Sequence, residues 1–72
     1  MSKYVVIVER PDPGENWSAY APDLNVYATA ESRDDVLDQI RDAIAFHFDG
    51  LREDGRAIPA PTSSAVEVEI AA

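Results

Sequence analysis

Three aspartates, Asp34, Asp38 and Asp42, recur at i, i+4 and i+8, so a helix over this stretch sets them in one row. Such a row can hold a divalent cation, or divide into a general acid and a base where the surroundings push the pKa values apart. Like charges at this spacing cost a helix a few tenths of a kcal/mol per pair, so helix stability does not explain them. The first reading is a solvated face. The second is a docking surface for a basic protein, because complementary charge speeds and orients encounter. Metal-dependent catalysis comes last.

The other reactive side chains are isolated. His47 is the only histidine and the chain has no cysteine, so neither a histidine pair nor a thiolate set is available for a metal. A packing role suits His47 better than acid–base work, which would need a base, nucleophile or metal beside it. Ser32 reads as a helix cap, and Ser63 and Ser64 lie in a connector with no triad logic. Trp17, Tyr20 and Tyr27 could stack on nucleobases, but a stacking platform needs cations at its flanks. Glu15 and Asp23 stand there instead, opposed only by Lys3 and Arg10. Structural packing or protein contact is the better reading. No glycine-rich phosphate loop or dinucleotide fingerprint is present, and no cofactor is expected.

The whole chain sharpens this. Its 72 residues carry six Lys and Arg against 14 Asp and Glu, a formal charge of −8, with 46% hydrophobic residues. That charge argues against binding a phosphate backbone unaided. The length allows one domain, expected over residues 1–72, and about 60% of the unfolded surface can be buried at this size. With no disulfide available, oligomerisation or a permanent partner is the usual remaining source of stability. The apolar run Tyr4–Val8 ends at Glu9, too short for a leader peptide or a membrane span. A cytoplasmic protein is expected.

The elements that must position these residues follow from local pattern. Tyr4–Val8 is rich in β-branched residues and reads as a strand. Its apolar residues fall on both sides, which favours a central strand covered on both. Turn chemistry over residues 11–16 leads to a strand at Trp17–Ala21, and a turn over 22–25 to a strand at Val26–Thr29. Ser32 then caps a helix with Asp34 and Asp35 in its first turn. Leu37, Ile40, Ile44, Phe48 and Leu51 form its main buried stripe, with Val36, Ala43 and Phe46 on an offset one. Gly50 is the weak point of the helix and Gly55 its C-terminal cap. A proline-rich connector precedes Val66-Glu67-Val68-Glu69-Ile70, whose strict alternation reads as a half-buried edge strand. The expected fold is α+β, β-β-β-α-β: a three-stranded antiparallel meander, a fourth edge strand, and one helix on one side. One helix covers one side of a sheet, and Phe46 and Phe48 stand about 200° apart on the helical wheel. A second copy or another protein is therefore expected to cover part of the surface.

With these residues in view, the sequence resembles the HicB-like antitoxin family. The likeness is carried by Tyr4–Val8, by Trp17-Ser18-Ala19-Tyr20-Ala21-Pro22-Asp23-Leu24, and by Arg33–Leu37 and Ile40–Ile44 in the helix. The run from Leu51 through Glu53-Asp54-Gly55 to Ile58-Pro59-Ala60-Pro61 completes it. Family members usually continue the Pro-Asp-Leu turn with Pro-Gly, where this chain has Asn25-Val26. The resemblance implies a truncated ribonuclease-H-like unit that neutralises a small basic endoribonuclease toxin, HicA, by covering its RNA-binding surface. Full-length relatives often add a C-terminal DNA-binding domain, which is not expected in this chain. A homo-oligomer, dimer or tetramer, without enzymatic activity is expected. Partner contact is assigned to Asp34, Asp38 and Asp42 for charge, and to Tyr20, Tyr27 and Phe46 for apolar surface. A metal-dependent ribonuclease-H-like nuclease or nucleic-acid-binding relic is the alternative. It is weakened because the first strand carries no inward carboxylate. A stand-alone domain without a toxin is the third reading.

Overall fold

A computed structural model describes residues 2–71. Its elements are strands β1 (Ile7–Glu9), β2 (Trp17–Ala21) and β3 (Val26–Ala30), followed by helix α1 (Arg33–Glu53). The strands form one antiparallel sheet in the order β1-β2-β3. Cross-strand partners run Ile7–Tyr20, Val8–Ala19 and Glu9–Ser18, then Trp17–Ala30 through Tyr20–Tyr27 to Ala21–Val26.

The first strand is shorter than the apolar run predicts, and the register gives the reason. One more pair beyond Ile7–Tyr20 reaches Ala21, and the next sets Val5 against Pro22, which has no N–H to donate. The chain turns there: Leu24 and Asn25 both donate backbone hydrogen bonds to the Ala21 carbonyl, at 3.2 and 2.9 Å. Asn25 takes the left-handed conformation that closes the turn, φ 55°, which asparagine tolerates better than most residues.

Helix α1 begins as its sequence dictates. Ser32 is extended, and its hydroxyl accepts from the Asp35 backbone N–H at 3.1 Å. At the other end Gly55, φ 68°, donates to the Arg52 carbonyl and Arg56 to that of Leu51, a Schellman closure. The helix runs unbroken through Gly50.

Period-2 alternation sends Ala19, Ala21, Ala28 and Ala30 to the helix side of the sheet. These small side chains let α1 sit close over β2 and β3, where Val36 and Ile40 bury against Ala19 and Ala30. Val6, Val8, Trp17, Val26 and Ile44 pack around that centre. The buried stripe is therefore rotated from the one predicted. Val36, placed on the offset stripe, is fully buried, while Leu37, Phe48 and Leu51 are half-buried.

Two expectations are corrected. The first strand is not central: β1 is an edge strand and α1 lies over its neighbours. The expected fourth strand, Val66–Ile70, is not paired into the sheet. Those residues follow the connector as exposed chain, with Val66, Val68 and Ile70 each more than 70% accessible.

Candidate partner-binding surfaces

The six residues expected to meet a partner fall on two separate surfaces. Asp34, Asp38 and Asp42 are all exposed on α1, and Phe46 is the next member of the same i+4 row. Each step along the row advances about 6 Å and turns about 40° around the axis. The row ends at Phe46, which is 81% accessible and overhangs an open groove of about 410 Å³. Val26, Ala43, His47, Gly50 and Leu51 line that groove. His47 is half-buried there, its ring 6.4 Å from that of Phe48.

Charge along this ridge is only lightly neutralised. Arg41 reaches Asp38 at 3.4 Å with both side chains more than 70% accessible, a geometry worth little in water. A second exposed pair, Arg52 and Asp49, stands at 3.3 Å nearer the helix end. Phe48 departs from the ridge as the wheel requires. It turns inward to meet the Tyr4 ring edge-on, with centroids 5.5 Å apart.

Tyr20 and Tyr27 lie on the opposite side of the sheet from α1. They are cross-strand partners, and their rings stack at 4.5 Å with 20° between planes. Such a pair contributes about 0.5–1.5 kcal/mol beyond its buried area. Ile7, directly across from Tyr20, extends the row, and both Ile7 and Tyr27 are exposed. The Tyr27 hydroxyl donates to Asn25 Oδ1 at 3.3 Å. Contact with the Tyr27 hydroxyl, then partial desolvation, raises the Tyr20 phenol above its ordinary pKa. The ridge and the tyrosine row face away from each other across the sheet.

A third feature was not legible from local pattern. The Asp23 carboxylate accepts four hydrogen bonds: from the Thr62 N–H and hydroxyl at 3.0 and 2.9 Å, and from the Ser63 N–H and hydroxyl at 3.1 and 2.7 Å. The bonds from Ser63, reinforced by those from Thr62, hold the carboxyl at a pKa of about 2. The Tyr4 hydroxyl donates to the Pro59 carbonyl, a second attachment of the connector. Asp23 reads in sequence as a turn residue and Ser63 as linker; about 40 positions separate them, and only the fold joins them.

Among the described residues, no three His, Asp or Glu side chains converge as a metal-binding group. A family model described as HicB-like antitoxin of bacterial toxin-antitoxin system matches residues 4–71. The chain belongs to the HicB-like antitoxin family. No curated protein and no solved structure matches it. Membership places this HicB-like antitoxin on the protective side of a toxin–antitoxin pair, with a toxin as its partner in general terms. Among its described residues no helix is long and apolar enough to cross a membrane.

Proposed function

We propose that this HicB-like antitoxin neutralises a small basic endoribonuclease toxin of the HicA type by laying the Asp34–Asp38–Asp42–Phe46 ridge over the toxin's RNA-binding surface. A surface that grips RNA is cationic because phosphate contacts dominate its affinity. Carboxylates spaced about 6 Å apart along a rigid helix offer such a surface an ordered run of counter-charges. Phe46 supplies what charge alone does not, an aromatic anchor of the kind that dominates interface energetics. The observation that carries this reading is the alignment of three exposed carboxylates with one exposed aromatic ring on a single helical row. Inhibition is by occlusion in the cytoplasm, and the chain carries out no reaction itself. Tyr20 and Tyr27 are proposed as a separate contact surface, since one small toxin cannot cover both sides of the sheet.

The test is protection of growing cells. A HicA-type toxin is expressed with the wild-type chain, or with a variant combining Asp38→Lys, Asp42→Lys and Phe46→Ser. All three positions are exposed, so an unchanged thermal melt establishes that the variant folds. Protection by the wild-type chain and by Tyr27→Ser, but not by the ridge variant, is expected. Equal protection by the ridge variant overturns the assignment.

A further inference from the structure

Gly50 has no reason to be glycine within its own chain. It lies inside α1, where glycine is less favourable than every ordinary residue but proline. Its φ is not positive, so its backbone makes no demand that a side chain could not meet. Packing makes none either: a Cβ built at Gly50 meets nothing within 4 Å, so alanine fits there without displacing a neighbour. Nor does Gly50 end the helix, which runs on to Glu53 and closes at Asp54 and Gly55. A glycine that costs helix stability and serves neither its own backbone nor its own core is the kind that lets another backbone come close.

The surroundings of Gly50 say what comes close. It is exposed and opens into the groove of about 410 Å³ beside Phe46, where Val26, Ala43 and Leu51 supply apolar lining. On the helical wheel Gly50 and Ala43 lie about 40° and 60° to one side of Phe46. Asp42, Asp49 and Glu53, all exposed, lie within about 60° on the other side. Phe46 therefore divides an apolar trough from an acidic margin that carries the aspartate row on to the end of the helix. Arg52 offsets Asp49 only through an exposed contact at 3.3 Å, and the two charged residues that line the trough itself, Asp54 and Arg56, are opposite in sign. The trough follows α1 for about three turns and meets the sheet only at Val26, the first residue of β3. A strand added to β3 would instead run along Val26–Ala30, so the shape suits a helix laid in a groove.

We propose that a basic amphipathic helix of the toxin crosses α1 at Gly50, with its apolar face in the trough beside Phe46 and its cations over Asp42, Asp49 and Glu53. Packed helices stand about 8–10 Å apart according to the side chains between them, and glycine sets the short end of that range. Gly50 then determines specificity, because any side chain there holds the incoming helix off the trough. The inference rests on the toxin reading and deepens it: to the charge contact of the aspartate row it adds a fixed crossing point and a stated occupant.

Substitution at Gly50 should move the fold and the complex in opposite directions. Alanine and leucine are both better helix formers, so Gly50→Ala and Gly50→Leu are each expected to raise the melting temperature of the free chain, by up to roughly 4–8 °C. In calorimetric titration of the full chain with its HicA-type toxin, Gly50→Ala is expected to bind several-fold more weakly than the wild-type chain, and Gly50→Leu more weakly by roughly tenfold or more. Because the chain has no cysteine, Arg56→Cys places a single photo-crosslinker in the trough. The toxin peptide it captures is expected to come from a helix, with apolar residues at helical spacing and cations between them. A lower melt for Gly50→Ala, binding unmoved by Gly50→Leu, or capture of a strand or loop each overturns the proposal. Binding lost on Asp38→Lys with Asp42→Lys but kept by Gly50→Leu removes the crossing and leaves the toxin reading standing; a wild-type chain that binds no such toxin removes both.

Discussion

Acid should release the connector at a pH set by Asp23, and the hydrogen-bond geometry fixes where. An ordinary aspartate titrates near 3.8, whereas the four bonds from Thr62 and Ser63 hold Asp23 at about 2. At pH 3 Asp23 therefore stays roughly nine-tenths ionised, while an unbound carboxyl is ionised only to about one part in seven. The sign follows from linkage. A depressed folded-state pKa contributes stability that is fully present above pH 3.8 and is lost as pH falls through about 2. The backbone amides of Thr62 and Ser63, followed by NMR from pH 6 downward, are expected to hold their shifted positions through pH 3 and to move together near pH 2. Asp23→Asn removes the charge and one acceptor oxygen. In that variant the two amides are expected to take unclamped positions already at pH 6, and proteolysis within residues 57–71 to accelerate. Amides that titrate near 3.8, or that are indifferent to Asp23→Asn, would refute the clamp.

Two further outcomes concern the body of the domain. Ser32→Ala removes the hydroxyl that caps Asp35 and is expected to cost about 1 kcal/mol, a fall of roughly 4–8 °C in melting temperature by circular dichroism. Val36→Ala, at the largest fully buried side chain among the described residues, is expected to cost about 2 kcal/mol and to lower the melt further than Ser32→Ala does.

Much of this architecture could be read from residue types. The strand Trp17–Ala21 was bounded by turn residues on both sides and lies where predicted, and β3 exceeds its prediction by Ala30 alone. Ser32 and Gly55 mark the two ends of α1 because capping depends on a hydroxyl acceptor and on a left-handed backbone, both local properties. What failed was non-local. Tyr4–Val8 has the composition of a strand throughout, but its length in the sheet is limited by Pro22 on its neighbour, which only the register reveals. Helical spacing puts Val36 on an offset stripe, yet it lies at the core's centre, because the direction in which a helix leans depends on the small alanines beneath it. The alternation of Val66–Ile70 is legible, but the segment is exposed and unpaired in the fold, because periodicity specifies a face and names no occupant.

The candidate surface divides in the same way. The aspartate row and Phe46 could be placed on one helix from spacing, and both are exposed on it. That Tyr20 and Tyr27 stack together depends on the pairing of β2 with β3, and that they look away from the ridge depends on which side of the sheet α1 covers. A single patch uniting all six residues does not exist in the folded chain.

Mapping the toxin contact on the isotopically labelled antitoxin addresses the proposed function most directly. On titration with its toxin partner, the largest amide and aromatic shifts should fall on Asp38, Asp42 and Phe46, weaken as salt rises, and spare Tyr20 and Tyr27. Shifts centred on the tyrosine pair, or a spectrum unchanged by stoichiometric toxin, would contradict it.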